Sequence, residues 1–239
     1  MKQFWFLELI SIVKNVLARG GIEFLAVLLG ISGSLWLDDR STFNQERRYE
    51  IEAYQRLSNA LALDKEGLEV DALKNERMIE VLELMINSMD AVSNDSLKHY
   101  IDITQSYSDM ETHVSDYETL KNTGRLYSIN NIDMLQRIID MYDKSYGEIS
   151  DWKAEDKRAI FMQDEFFIKN YAMQPAENWT TLLNVTIDRQ RLISDITYRN
   201  YLIFLYQVKN RMNVEWKKLI VNISALNEDI LKEIKFLKN

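Results

Sequence analysis

The chain has 239 residues, a net charge of −8, a pI near 5.0 and no cysteine. The acidic balance excludes nucleic acid as the main partner, because phosphate binding needs concentrated Lys and Arg. The lack of cysteine excludes disulfides, thiolate metal sites and cysteine nucleophiles. With 7 glycines and a single proline, Pro175, the chain is poor in the turn residues a sheet protein needs, so composition predicts an all-α fold.

Residues 1–19 read as an interfacial amphipathic segment. Residues 3–18 are apolar but interrupted by Glu8 and Lys14, and are too short to cross a bilayer comfortably. Phe4, Trp5 and Phe6 suit the headgroup level, while Lys2, Lys14 and Arg19 reach toward anionic lipid. The competing readings are a signal peptide, which lacks a small-x-small cleavage site at Leu17-Ala18-Arg19, and a first spanning helix in a hairpin, which would reverse the topology.

Residues 20–37 form the one apolar run that approaches spanning length, with Glu23 as its only ionisable residue. At 1.5 Å per residue the run covers roughly 27 Å, close to the hydrocarbon thickness of a bilayer. It predicts a single transmembrane helix. Lys2, Lys14, Arg19 and the amino terminus on one side face Arg40, Arg47 and Arg48 on the other. That small excess predicts a cytoplasmic N-terminus and an extracytoplasmic domain, 38–239.

Beyond the span the rhythm is helical. Ile51, Tyr54, Leu61, Leu68, Ala72, Ile79, Leu82, Ile86 and Met89 recur in steps built from threes and fours, with Lys65 and Asn75 interrupting the seam. They predict a long helix over about 42–91, of the kind found in bundles and coiled coils. Ser93-Asn94-Asp95-Ser96 breaks it. Short helices follow over about 95–106 and 114–123, the second with Gly124 placed as a left-handed cap. A long segment, 130–172, has the seam Ile132, Leu135, Ile139, Tyr142, Tyr146, Ile149 and Trp152, and Gln174-Pro175-Ala176-Glu177 makes a turn. The last helix, 186–237, has the most regular seam: Leu205, Val208, Met212, Trp216, Leu219, Ile223, Leu226, Ile230, Ile234 and Leu237. Long helices joined by short breaks predict an antiparallel bundle.

Two stretches resemble a group of uncharacterised bacterial membrane proteins with one N-terminal span and a helical domain. The first is Gly21-Ile-Glu23 leading to Val27 and Gly30-Ile31. The second is Leu120-Lys121-x-x-Gly124-x-Leu126-x-x-Ile129, followed by Leu135 and Tyr142. The resemblance implies a bacterial plasma-membrane protein with its helical domain outside the cytoplasm, and it carries no activity.

Few residues suggest chemistry. Glu23 in the span suits an ion path, a snorkelling or i,i+4 pairing with Arg19, or a polar contact between helices. Together with Gly30, Ser32, Gly33 and Ser34 it forms a small and polar set that suits helix association. His99 and His113 stand beside carboxylates without the spacing of a metal site. The series Asp140, Asp143, Glu148, Asp151, Glu155, Asp156 reads as a solvated face. Leu120, Lys121, Gly124, Leu126 and Ile129 suit either a packed helix connection or a docking tip. No phosphate loop, Gly-x-Ser-x-Gly elbow or His-Glu-x-x-His occurs. The expectation is a membrane-anchored helical bundle, not an enzyme and without metal or cofactor. It would act through assembly, as a homo-oligomer or with a membrane protein partner in the lipid bilayer. A ligand-sensing module and a channel component built on Glu23 are the alternatives.

Overall fold

The computed structural model describes residues 2–107, 111–173 and 185–239, with side chains from Val27 onward except those of Met173 and Val185. The fold is all-α apart from a two-residue antiparallel strand pair, β1 (Ala172–Met173) with β2 (Val185–Thr186). Two compact units divide the chain, Met1–Ile51 and Glu52–Asn239.

Helix α1 (Lys2–Ser88) forms the whole described part of the first unit and opens the second. An interfacial helix followed by a separate spanning helix was the expectation; the backbone is instead one helix. No proline precedes Pro175, so every backbone N–H in this stretch is available to the helical ladder. Among the described residues no helix is long and apolar enough to cross a membrane. Only the part of the apolar run from Val27 to Leu37 has described side chains, and Asp38, Asp39 and Arg40 follow it directly. The side chains of the 1–19 segment and of Glu23 lie outside the described residues, as does the turn at 174–177.

The second unit continues through α2 (Asn94–Thr104), α3 (Ser115–Asn122), α4 (Ile132–Asp140), α5 (Tyr146–Asn170), α6 (Arg189–Ser194) and α7 (Ile196–Lys238). Short polar side chains start α2, α4, α6 and α7 by accepting from otherwise unpaired N–H groups. Ser93 accepts from Ser96, Asn131 from Met134, Asp188 from Arg191, and Asp195 from Thr197 and Tyr198.

Cross-helix bonds give the direction of each element. Ser58 of α1 donates to Asn227 of α7, and farther along Asn75 donates to the carbonyl of Lys209, so the two helices are antiparallel. Arg137 of α4 pairs with Asp229, and Asp156 of α5 with Lys209, so α4–α5 also runs against α7. The α2–α3 stretch returns between them. Thr104 meets Gln163, His113 meets Asp64, and Tyr117 meets Tyr142 as the chain descends. The domain is thus an up-down-up-down bundle of four elements, and its second element is broken in the middle.

The α7 seam is buried from Leu205 to Ile234 at every expected position. The expected seam of α4 is displaced by one residue: Met134, Ile138 and Met141 face inward, whereas Ile132 is 77% exposed. A π-helical turn, Met141–Ser145, joins α4 to α5 and adds the residue that shifts the register. Tyr142 within it, and Tyr146 and Ile149 after it, are buried as the spacing predicts.

Candidate functional site: buried charges beside a cleft

The break between α2 and α3 removes part of a helical ladder from the bundle wall, leaving main-chain groups that need partners. Two buried charged side chains supply them. Lys209, 2% exposed, donates to the carbonyl of Ser106 at 3.3 Å and lies 2.7 and 2.8 Å from the two oxygens of Asp156, itself fully buried. The ammonium thus donates to the Ser106 carbonyl and to Asp156 Oδ2, and Asp156 Oδ1 adds a close charge contact. Burial pulls the Lys209 amine below its ordinary value, and Asp156 opposes that shift by stabilising the charged form.

Asp64, 1% exposed, serves the other side of the break. Its Oδ1 accepts from the His113 backbone N–H at 2.7 Å and lies 2.8 Å from the ring Nδ1, while its Oδ2 accepts from the Tyr146 hydroxyl at 2.5 Å. Burial, reinforced by the Asp64 charge, pushes the Tyr146 hydroxyl well above the usual phenol range, so it stays a donor. Tyr142 sits edge-on to Tyr146 and stacks flat on Tyr117 at 4.4 Å. The Tyr117 hydroxyl donates to Asp143 and is pushed up to about 12, mainly by burial and then by that carboxylate.

A cleft of about 600 Å³ opens at the same level, between α1, the chain on either side of 108–110, and α7. Its wall holds Asn75 and Trp216, whose Oδ1 and Nε1 atoms are buried without hydrogen-bond partners. Lys74, also on the wall, is tied to Asp71 at 3.1 Å. Among the described residues no three His, Cys, Asp or Glu side chains gather into a possible metal site. His99 lies exposed on α2, and His113 is held by Asp64.

The acidic series does not form one solvated face. Asp140, Asp143 and Glu155 make exposed pairs with Lys144, Lys121 and Arg158, but Asp156 is in the core. Its position, four residues before the buried Ile160, carries it inward. In the same way the seam of α1 is interrupted by Asp64 and Asn75, and Lys65 stands outside it, pairing with Glu69. Asp64 and Lys209 are both absent from the expectations, and Lys209 had a signal in the spacing. It lies four positions after Leu205 and next to Val208, on the buried stripe, and that spacing was the available signal.

The Leu-Lys-x-x-Gly segment closes the opposite end of the domain from the strand pair. Leu120, Leu126 and Ile129 are buried, Lys121 pairs with Asp143, and Gly124 has φ 73° with its N–H donating to Lys121. Gly30, Ser32, Gly33 and Ser34 are exposed on α1 in the first unit. No family model, curated protein or solved structure matches the chain.

Proposed function

We propose that the protein is a bilayer-tethered helical bundle that acts by protein–protein assembly, with no catalytic step. The observation that carries this reading is the exposure of every Val, Leu, Ile and Trp side chain between Val27 and Leu37. At about 100° per residue these positions surround the helix, so a single neighbouring helix would cover only part of them. A lipid environment covers them all. Arg40 lies over the Trp36 ring at 5.4 Å, an aromatic and cationic pair suited to a membrane boundary. The resemblance in residues 21–31 and 120–129 supports the same placement, a bacterial plasma membrane with the bundle outside the cytoplasm.

Self-association would use the small residues of this segment. A Cβ at Gly30 or Gly33 would meet nothing within 4 Å. Gly30 and Ser34 are one turn apart, the spacing that lets two helices approach closely, and Glu23 and Ser32 add polar contacts in the same region.

The test is the oligomeric state of the full chain in non-ionic detergent, together with its extraction from membranes by alkaline carbonate. The expected result is an oligomer that resists carbonate and falls to monomers in the Gly30→Leu/Gly33→Leu variant. A carbonate-soluble chain would remove the tether, and a monomeric wild type would remove the assembly role. Alkaline phosphatase fused to the C-terminus should be active, as required by an extracytoplasmic domain.

A further inference from the structure

Two apolar stripes run along α4, one residue apart. Met134, Ile138 and Met141 are buried, and Leu135 and Ile139 stand half-buried beside them. Exchanging Met134 for Leu135 and Ile138 for Ile139 at the core would nearly conserve volume, the kind of swap a core accepts at small cost. What selects the first stripe is the π turn Met141–Ser145, whose extra residue sets α4 back by one position, about 100° of rotation, relative to α5. With that residue released, one regular ladder would run from α4 into α5. Leu135, Ile139, Tyr142, Tyr146 and Ile149 would then share a single seam in steps of three and four.

The observed register carries a cost of its own. The Tyr142 hydroxyl, inside the π turn, is buried without a hydrogen-bond partner. Contacts from α3 offset it. Asp143, the next residue of the turn, accepts from the Tyr117 hydroxyl at 3.0 Å and from the Lys121 ammonium at 3.1 Å on both oxygens. The Tyr142 ring stacks on Tyr117 at 4.4 Å, and Arg137 ties α4 to Asp229 of α7 at 3.0 Å. The apolar pattern of α4 suits either register, so its neighbours decide between them.

We propose that α4 is a two-register helix and that Tyr117 and Lys121 of α3, gripping Asp143, are the latch that holds the π turn. Release of Asp143 lets the extra residue pass into the connection before α4. Met134 and Ile138 then turn outward, Leu135 and Ile139 turn inward, and Arg137 parts from Asp229. A partner that withdraws Lys121 from Asp143 would thus change the face α4 presents, by shifting the population between two packed states. The device lies wholly within Glu52–Asn239 and does not depend on whether the first unit enters a bilayer.

Cysteine accessibility of the full chain in non-ionic detergent tests the proposal, since the chain has no cysteine of its own. Met134→Cys and Ile138→Cys probe the buried stripe, and Ile160→Cys, at a position 2% exposed on α5, is the control, each labelled with N-ethylmaleimide. Asp143→Ala should raise the labelling rates at 134 and 138 about tenfold and leave the rate at 160 unchanged. Deleting Asp143 removes the latch together with the extra residue, so α4 keeps its present register and both rates should stay at wild-type values. Unchanged rates in Asp143→Ala, an equal rise at 160, or a rise that persists in the deletion would each overturn the device. The last result would mean that α4 frays without changing register. Should circular dichroism show the deletion to be unfolded, Lys121→Met, at an exposed position on α3, decides. Labelling at 134 and 138 must then rise with 160 unchanged, and no rise overturns the proposal.

Discussion

The two halves of α7 solve the same packing problem in different ways. From Leu219 to Ile234 the helix buries Leu219, Ile223, Leu226, Ile230 and Ile234, and the polar cross-links given there are the Ser58–Asn227 bond at 2.6 Å and the partly exposed Arg137–Asp229 pair at 3.0 Å. From Tyr198 to Trp216 it buries Lys209 as well, among Asp156, Gln163 and Asn75. Among the described residues no polar side chain of the apolar half is itself buried. The polar half faces the break between α2 and α3, where Ser106 and His113 present main-chain groups to the core. Buried charge follows the broken ladder, and the cleft follows it too.

The comparison is broken most severely by removing one member of the buried ion pair. Asp156→Ala leaves the Lys209 ammonium in the core with only the Ser106 carbonyl, and should cost about 3–5 kcal/mol in urea unfolding followed by circular dichroism. Lys209→Met/Asp156→Leu removes both charges and should recover most of that loss. A double variant as unstable as the single one would mean that the Ser106 carbonyl, more than the pair, needs the ammonium. In the apolar half, Ile223→Ala should cost about 3 kcal/mol through lost burial and a residual cavity. No second substitution on a neighbouring helix should rescue it as the charge-removing partner does.

A smaller effect is expected at the other side of the break. Tyr146→Phe deletes the donor to Asp64 Oδ2 and leaves a buried carboxylate oxygen short of a partner, at a cost of about 1–3 kcal/mol. Asp64→Asn in the same background should then be less harmful than in the wild type, because the neutral amide is less costly to leave undersatisfied. Additive losses in this double-mutant cycle would show that the two groups are not coupled.

How much of this was legible in the sequence differs along the same division. The α7 seam was readable because an unbroken helix keeps one register, and the cap at Gly124 was readable because only a residue without Cβ takes φ 73° without strain. The α4 seam was misplaced because a π turn adds a residue without altering the hydrophobic composition around it, so Leu135 and Ile139 suited the expected spacing as well as Met134 and Ile138 did. Asp156 was hidden by its neighbours: beside Glu155, Lys157 and Arg158 it resembles any solvated charge. What makes it buried is Lys209, which lies 53 residues away and pairs with it only after the chain has folded back.

Asp164 gives the smallest and most selective test of the polar half. It follows Gln163 on α5, is half-buried, and its Oδ1 has no hydrogen-bond partner. Burial raises its carboxyl to about 6 from an ordinary 3.8. A raised acid pKa means that, between about pH 4 and 6, the folded chain keeps a proton the unfolded chain has released. Stability therefore falls as pH rises through that window and is constant above it. Asp164→Asn should abolish the fall. At pH 7 the variant should be more stable by about 1 kcal/mol, less than the full shift would imply because solvent reaches half of the side chain. At pH 4, where the wild-type carboxyl is still protonated in the folded chain and partly so in the unfolded one, most of the advantage should vanish. Urea midpoints measured at pH 4, 5, 6 and 7 check this directly, and an equal difference at every pH would place the effect in packing and leave the carboxyl with no titration penalty.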